Sequence, residues 1–206
     1  MLLCIDESGL KNKKLRIIIN KILNFTKRNI SMIRHYYIII FFLIINSLVY
    51  AQKEATIWYF GENAGLDFIY NPPIALTNGA LITSEGCATI SDQNGNVILY
   101  TNGVKVWNSN HNQMPNGFGL MGNISSTQSC VIIPKPLCNN IYYIFTVDAI
   151  ENYLTDGFQY SIVDLNLNGG LGDITSKNNL LFSPSTEKVT AVLHNNSKDF
   201  WKSIII

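Results

Sequence analysis

Beyond residue 51 the chain has no arginine, and its seven lysines face twelve aspartates and glutamates, a net charge of −5. A phosphate backbone is held by clustered Lys and Arg, so this composition excludes nucleic acid as a partner. Helical periodicity is missing as well: no stretch after Ala51 sustains the three-and-four apolar spacing of a helix. Cysteine is scarce and odd in number. Cys87, Cys130 and Cys138 do not make a disulfide framework for an exported chain, and their spacings of 43 and 8 lack the pairwise pattern of a zinc site. No metal and no cofactor are expected. Histidine is equally thin, because His35 and His194 lie near the two ends and leave His111 alone in the middle.

The first 51 residues have a different character. Tyr36 to Ile45 is an unbroken apolar run behind Arg34, and Val49 and Ala51 supply the two small residues of a signal-peptidase site. Residues 32–51 therefore read as a signal peptide that starts at Met32 and is cleaved before Gln52. A membrane anchor is the competing reading. Tyr36 to Ala51 offers 16 residues, interrupted by Asn46 and Ser47, where a spanning helix takes about 20. Residues 1–31 carry seven of the fifteen basic side chains and read as an N-terminal extension, disordered or never translated. The expected location is periplasmic, cell-surface or extracellular. Contact with a membrane is expected only through the signal segment before its cleavage.

The remainder, residues 52–206, repeats itself. Ser84-Glu85-Gly86-Cys87 recurs as Thr127-Gln128-Ser129-Cys130, 43 residues later, and again as Thr186-Glu187-Lys188-Val189. Fourteen residues after Ser84, Thr127 and Thr186 come Ile98, Ile141 and Phe200. Each copy reads as β structure. Cys87–Ile90, Val97–Thr101 and Val104–Trp107 are expected strands of the first copy, with Cys130–Ile133, Ile141–Val147 and Phe158–Leu165 as their counterparts. Ser91 to Asn96 is a turn. Asn102-Gly103 carries the signature of a two-residue hairpin with both residues at positive φ.

Antiparallel repeats of 40–50 residues are the unit of a β-propeller. The expected fold is all-β: an incomplete propeller of about two to three blades after an N-terminal signal helix. A ring takes at least four blades, and the last residues, Trp201 to Ile206, read as part of a strand. The expectation is thus a fragment, truncated at its C-terminal end.

Several motifs occur in the order seen in one family: Trp58-Tyr59-Phe60-Gly61, Asn63 to Phe68, EGCATISDQNGNVILYTNGVKVWNSNHNQMPNG, STQSCVIIPKP, YYIFTVDA and YSIVDLNLNGGLGDI. From Ile57 to about Trp201 the chain resembles the N-terminal module of large gliding-associated surface proteins exported by type IX secretion. The resemblance implies a propeller-like fold and display on the cell surface or release. In that family a C-terminal sorting domain follows, for which this sequence has no counterpart.

Candidate sites are few. Asp92 to Asn96 departs from a calcium loop, since Val97 and Gly103 stand where the conserved Gly and Glu would be needed. Gly169-Gly170-Leu171-Gly172 lacks the Lys of a phosphate loop. Trp107, Asn108 and His111 cluster after an expected strand and are the candidate binding residues, as an aromatic and polar platform for a sugar, although packing between blades is the favoured reading of Trp107. Glu85 and Glu187 recur at equivalent positions, which points to a structural role, so no catalytic residues are assigned and no enzyme activity is expected. The expected function is a non-catalytic surface module for adhesion, with an extracellular glycan or protein as partner. A fragment of a secreted propeller hydrolase acting on polysaccharide is the alternative.

Overall fold

The computed structural model describes residues 7–46, 53–192 and 202–205. The chain divides into two compact units, Met1–Ala51 and Gln52–Ile206.

The described part of the first unit is one helix, α1 (Glu7–Asn46). It contains no proline, and its one glycine, Gly9, sits in the first turn, so nothing interrupts the backbone ladder. The segment expected to be a disordered extension is helical from Glu7 onward and runs through Met32 without a break. No described helix is long and apolar enough to cross a membrane. The expected cleavage segment, Val49 to Ala51, lies outside the described residues.

The second unit is built from antiparallel sheets. β1 (Ile57–Phe60), β2 (Ala64–Asp67) and β3 (Ile74–Leu76) form the first, in the order β1-β2-β3. β4 (Ala88–Ser91), β5 (Val97–Thr101), β6 (Lys105–Asn108) and β7 (Gln113–Phe118) form the second, again in chain order. β8 (Cys130–Pro134), β9 (Ile141–Val147), β10 (Phe158–Asp164) and β11 (Asp173–Phe182) form the third, and β12 (Val189–Val192) pairs with β13 (Lys202–Ile205). Among the described residues no sheet closes into a barrel. Each copy of the sequence repeat therefore opens one sheet. Phe200 and Trp201, the expected end of the third copy, lie outside the described residues.

The faces of these sheets follow the alternation of the strands, except at Ile98, where a register shift between β4 and β5 lets Ile98 and Leu99 reach the same core. Leu99 and Val106 meet Tyr142, Ile144 and Val163 in the core between the second and third sheets. Tyr100 and Trp107 point the other way and join Tyr59 and Leu81. On the third sheet Val147 and Phe158 turn from that central core to pack with Val189 of β12. The sheets thus stack face to face in chain order, each interface formed by the opposite parity of the same strands.

Their inner edges also touch, β1 beside β4, β4 beside β8 and β8 beside β12. The repeated entry segments make these contacts. Gly86 N–H donates to the Ser126 carbonyl at 3.1 Å, and the Ser129 hydroxyl donates to the Gly86 carbonyl at 2.8 Å. One copy further on, Gln128 N–H donates to the Glu187 carbonyl at 2.9 Å, and the Thr127 hydroxyl donates to the Glu187 carboxylate at 3.1 Å.

The Asn102-Gly103 turn differs from expectation. Gly103 is left-handed (φ 84°), but Asn102 is not among the residues at positive φ. Asn102 Oδ1 instead accepts the N–H groups of Val104 (3.0 Å) and Lys105 (2.8 Å), and the Thr101 hydroxyl donates to the Lys105 carbonyl at 2.7 Å. The side-chain amide replaces the backbone bonds of a two-residue hairpin, so the loop holds three residues.

The closest approach in the unit is at Gly86, where a Cβ would lie 2.2 Å from Ser129 N and 2.8 Å from the Ser126 carbonyl oxygen. Backbone on both sides leaves no flexible atom to yield. Gly86→Ala should therefore destabilise the unit by about 1–3 kcal/mol, as overpacked cores do. Chemical denaturation of wild type and variant at one protein concentration measures this; an unchanged midpoint would show that the entry segments are not in contact.

Candidate functional site

The structure brings Trp107 and His111 against Tyr100 in the interface between the first two sheets, whereas Asn108, paired with Leu99, holds the adjoining turn. Trp107 is 7% exposed, and its ring stacks on Tyr100 with centroids 5.5 Å apart and planes at 11°. Tyr59 lies on Tyr100 in turn, at 4.7 Å. The expected open platform for a sugar therefore has no free indole face. Asn108 is buried, and its Oδ1 accepts the N–H groups of Asn110 (3.0 Å) and Asn112 (3.1 Å). These bonds fold the turn in which His111 takes its left-handed conformation (φ 61°).

His111 enters a chain of hydrogen bonds that joins the two sheets. Tyr59 Oη donates to Asn78 Oδ1 at 3.0 Å, and Asn78 Nδ2 lies 3.0 Å from His111 Nε2. With Asn78 donating to Nε2, the imidazole proton sits on Nδ1 and donates to Tyr100 Oη, 3.1 Å away. Ala80 N–H donates to the same phenol oxygen at 3.1 Å. The chain needs neutral partners throughout, and burial supplies them. It lowers the His111 pKa and raises those of Tyr59 and Tyr100.

A separate cleft of about 650 Å³ opens between two turns, Asp92 to Asn96 of the second sheet and Lys135 to Asn140 of the third. Glu54 and Tyr142 also line it. Glu54 is placed by its own carbonyl, which accepts Ser91 N–H at 2.9 Å. Asp92 Oδ1 accepts the N–H groups of Asn94 and Asn96, both at 2.8 Å, and Oδ2 accepts Asn96 Nδ2 at 3.0 Å. Burial pushes the Asp92 pKa up, but the hydrogen bonds outweigh it and hold the carboxyl below its usual range. Asp92 is thus committed to its turn. Glu54 Oε2 and Ser91 Oγ, by contrast, have no hydrogen-bond partner and are closed to bulk water. The Tyr142 hydroxyl is pushed up by burial first, then by the carboxylates of Asp92 and Glu54, which places both acids near it.

Cys87 and Cys130 are not poised as nucleophiles. Burial raises Cys87, and it pushes the fully enclosed Cys130 up to about 12. Among the described residues no group of three or more His, Cys, Asp or Glu is placed to hold a metal. Glu187, a recurrent acid of the repeat, accepts Ile150 N–H at 2.6 Å as well as the Thr127 hydroxyl, and its pKa falls through those bonds.

Sequence reasoning did not single out Glu54, Lys135 or Tyr142. A lone acid four residues before the first motif carries no spacing signal, and Tyr142 reads as one apolar position in a strand. Comparison of the chain with protein-family models, with curated proteins and with solved structures finds no match.

The half-buried imidazole makes stability depend on pH. His111 binds its proton less readily folded than unfolded, where its pKa is about 6.5. The stabilisation it gives is complete above that value and is lost as pH falls through the folded pKa. Thermal unfolding at about pH 7.5 and pH 5.5 should show a drop in midpoint that His111→Gln reduces; equal slopes for both proteins would place the imidazole in solvent.

Proposed function

We propose that residues 52–206 belong to a non-catalytic, exported, propeller-like module that adheres to an extracellular glycan or protein, as part of a gliding-associated surface protein. The observation that carries the reading is the arrangement of the repeat. Three copies of one entry segment start successive sheets, and those starts lie side by side while the sheets stack face to face in chain order. Blades around a propeller axis have this relation. The family resemblance of the motifs from Trp58 to Trp201 supports it further.

A non-catalytic role fits the disposition of the titratable groups. The one mid-chain histidine is tied between two sheets. Asp92 and Glu187 are engaged by backbone donors, and a glycosidase needs two carboxyl groups flanking one bond. Glu54 is the only carboxylate of the cleft with an unpartnered buried oxygen.

Export is proposed on the apolar run from Tyr36 to Ile45 and the small residues before Gln52. Expression with the native leader should give an exported product whose N-terminal sequence begins at Gln52. A product that keeps Tyr36 to Ile45 and stays in the membrane would support an anchor instead.

The propeller-like reading has its own test. Trp58 lies against Phe68 on the first sheet, with centroids 4.8 Å apart and rings tilted by 52°, yet is 53% exposed. Phe182 and Leu180, on the outermost strand of the third sheet, are also exposed. At about 25 cal/mol per Å², covering several hundred Å² of such surface yields several kcal/mol. Residues 52–206 expressed alone should therefore associate in sedimentation experiments, through faces that neighbouring blades would cover. A monodisperse monomer with one sharp unfolding transition would contradict the propeller-like reading.

A further inference from the structure

We infer that the cleft between the Asp92–Asn96 and Lys135–Asn140 turns is a saccharide site, and that it takes a neutral sugar unit with Glu54, Ser91 and Lys135 as its polar contacts. The inference deepens the adhesive reading and rests on it.

The size is that of a small-molecule site, about 650 Å³ within the usual range of roughly 300–1,000 Å³. Its polar groups are unlike those of an ordinary turn surface. Buried oxygens are almost always hydrogen-bonded, and an unpaired one is costly. Two of them meet at this cleft, Glu54 Oε2 and the hydroxyl of Ser91, a residue that is 1% exposed. A rotation about the bonds of either side chain presents its oxygen to a ligand. Asp92 is less available than they are, because three N–H donors already take up most of the acceptor sites of its carboxylate.

The chemistry of the ligand follows from what these atoms lack. Glu54 Oε2 needs a donor, Ser91 Oγ both donates and accepts, and the exposed Lys135 ammonium donates. A free anion would meet the Glu54 carboxylate. A free ammonium would meet Lys135 and would have to bring a full charge to buried oxygens, which costs far more than bringing a hydroxyl. Glu54, Asp92 and Lys135 leave the walls net negative, which disfavours an anion, and a ligand that brings hydroxyls meets Glu54, Ser91 and Lys135 without adding a charge of its own. A sugar ring offers several hydroxyls, each donor and acceptor, together with a C–H face. Ile90, Ile98 and Leu165 supply the apolar wall for that face, and all three pack on the core beneath.

The full chain, coupled sparsely to a sensor surface so that copies do not meet, should bind at least one of xylotetraose, cellotetraose and maltotetraose. The expected Kd is no weaker than about 1 mM. Glu54→Gln should weaken that binding by about tenfold, the difference between a charge-assisted and a neutral hydrogen bond. Ser91→Ala removes an oxygen that has no protein partner, so it should keep the near-ultraviolet circular dichroism of the wild type while weakening binding about threefold or more. Absence of saturable binding by all three probes overturns the site, as does binding only of calcium chloride, putrescine or glycylglycine. Saccharide binding that both variants leave unchanged also overturns it, and leaves the adhesive reading standing. Probe recovered in shortened form, with the same loss in Glu54→Gln, supports the site and overturns the non-catalytic reading.

Discussion

The hydroxyl of Ser129 holds the second and third sheets at their inner edge. It donates to the Gly86 carbonyl at 2.8 Å and lies 3.2 Å from the carbonyl of Asn102, and no part of the residue reaches solvent. A single side chain thereby connects the entry of one sheet, the β5–β6 turn of that sheet and the start of the next. Such a bond is worth only about 0.5–1.5 kcal/mol net, and the Gly86 carbonyl also accepts the Thr83 hydroxyl at 3.0 Å. The approach is possible only because the preceding copy has glycine at the equivalent position. Gly103 obeys the same constraint from the other side, since a Cβ there would sit 3.0 Å from Ser129 Oγ.

Similar ties recur at the other interfaces with different residues. Between the first two sheets, Tyr59 N–H donates to Thr89 Oγ1 at 3.1 Å and the Cys87 thiol donates to the Tyr59 carbonyl at 3.3 Å. Toward the last pair of strands the Glu187 carboxylate spans Thr127 and Ile150. Apolar burial supplies most of the attraction between sheets, but it is non-directional. The polar ties fix how one sheet is placed on the next, and with it the spacing of the turns that frame the cleft. The function proposed for that cleft thus depends on a contact made at the opposite end of the same strands.

Much of this was legible in the sequence, and the failures have physical causes. Val97–Thr101 and Ile141–Val147 were read with their observed bounds because they are apolar, rich in β-branched and aromatic residues, and bounded by turn formers. β7 was missed because Gln-Met-Pro-Asn-Gly-Phe reads as a turn. It survives as the outermost strand of its sheet, where the N–H that Pro115 lacks is not needed by a ladder. β11 was missed for its polar middle, Thr-Ser-Lys-Asn-Asn, which lies on another outer strand and is broken by register shifts. At Asn102 the dipeptide signal was read correctly as a turn and wrongly as to type, because the side chain of Asn can do the work of backbone. The cluster of Trp107, Asn108 and His111 was visible as a group, whereas its burial depends on Tyr59 and Asn78, far away in sequence. Glu54 and Ser91 had no signal at all, since an orphaned oxygen is a property of packing.

The central claim is that the repeated entry segments are packed backbone to backbone and hold the stack of sheets together. Native-state hydrogen exchange at the amides of Gly86 and Gln128 tests it most directly, because each donates across a boundary between copies. The account requires both amides to exchange as slowly as those in the middle of β9 and β10, through global unfolding. Exchange as fast as that of the exposed turn around Gly169 would mean that the segments are open to water, and that the sheets are not joined there.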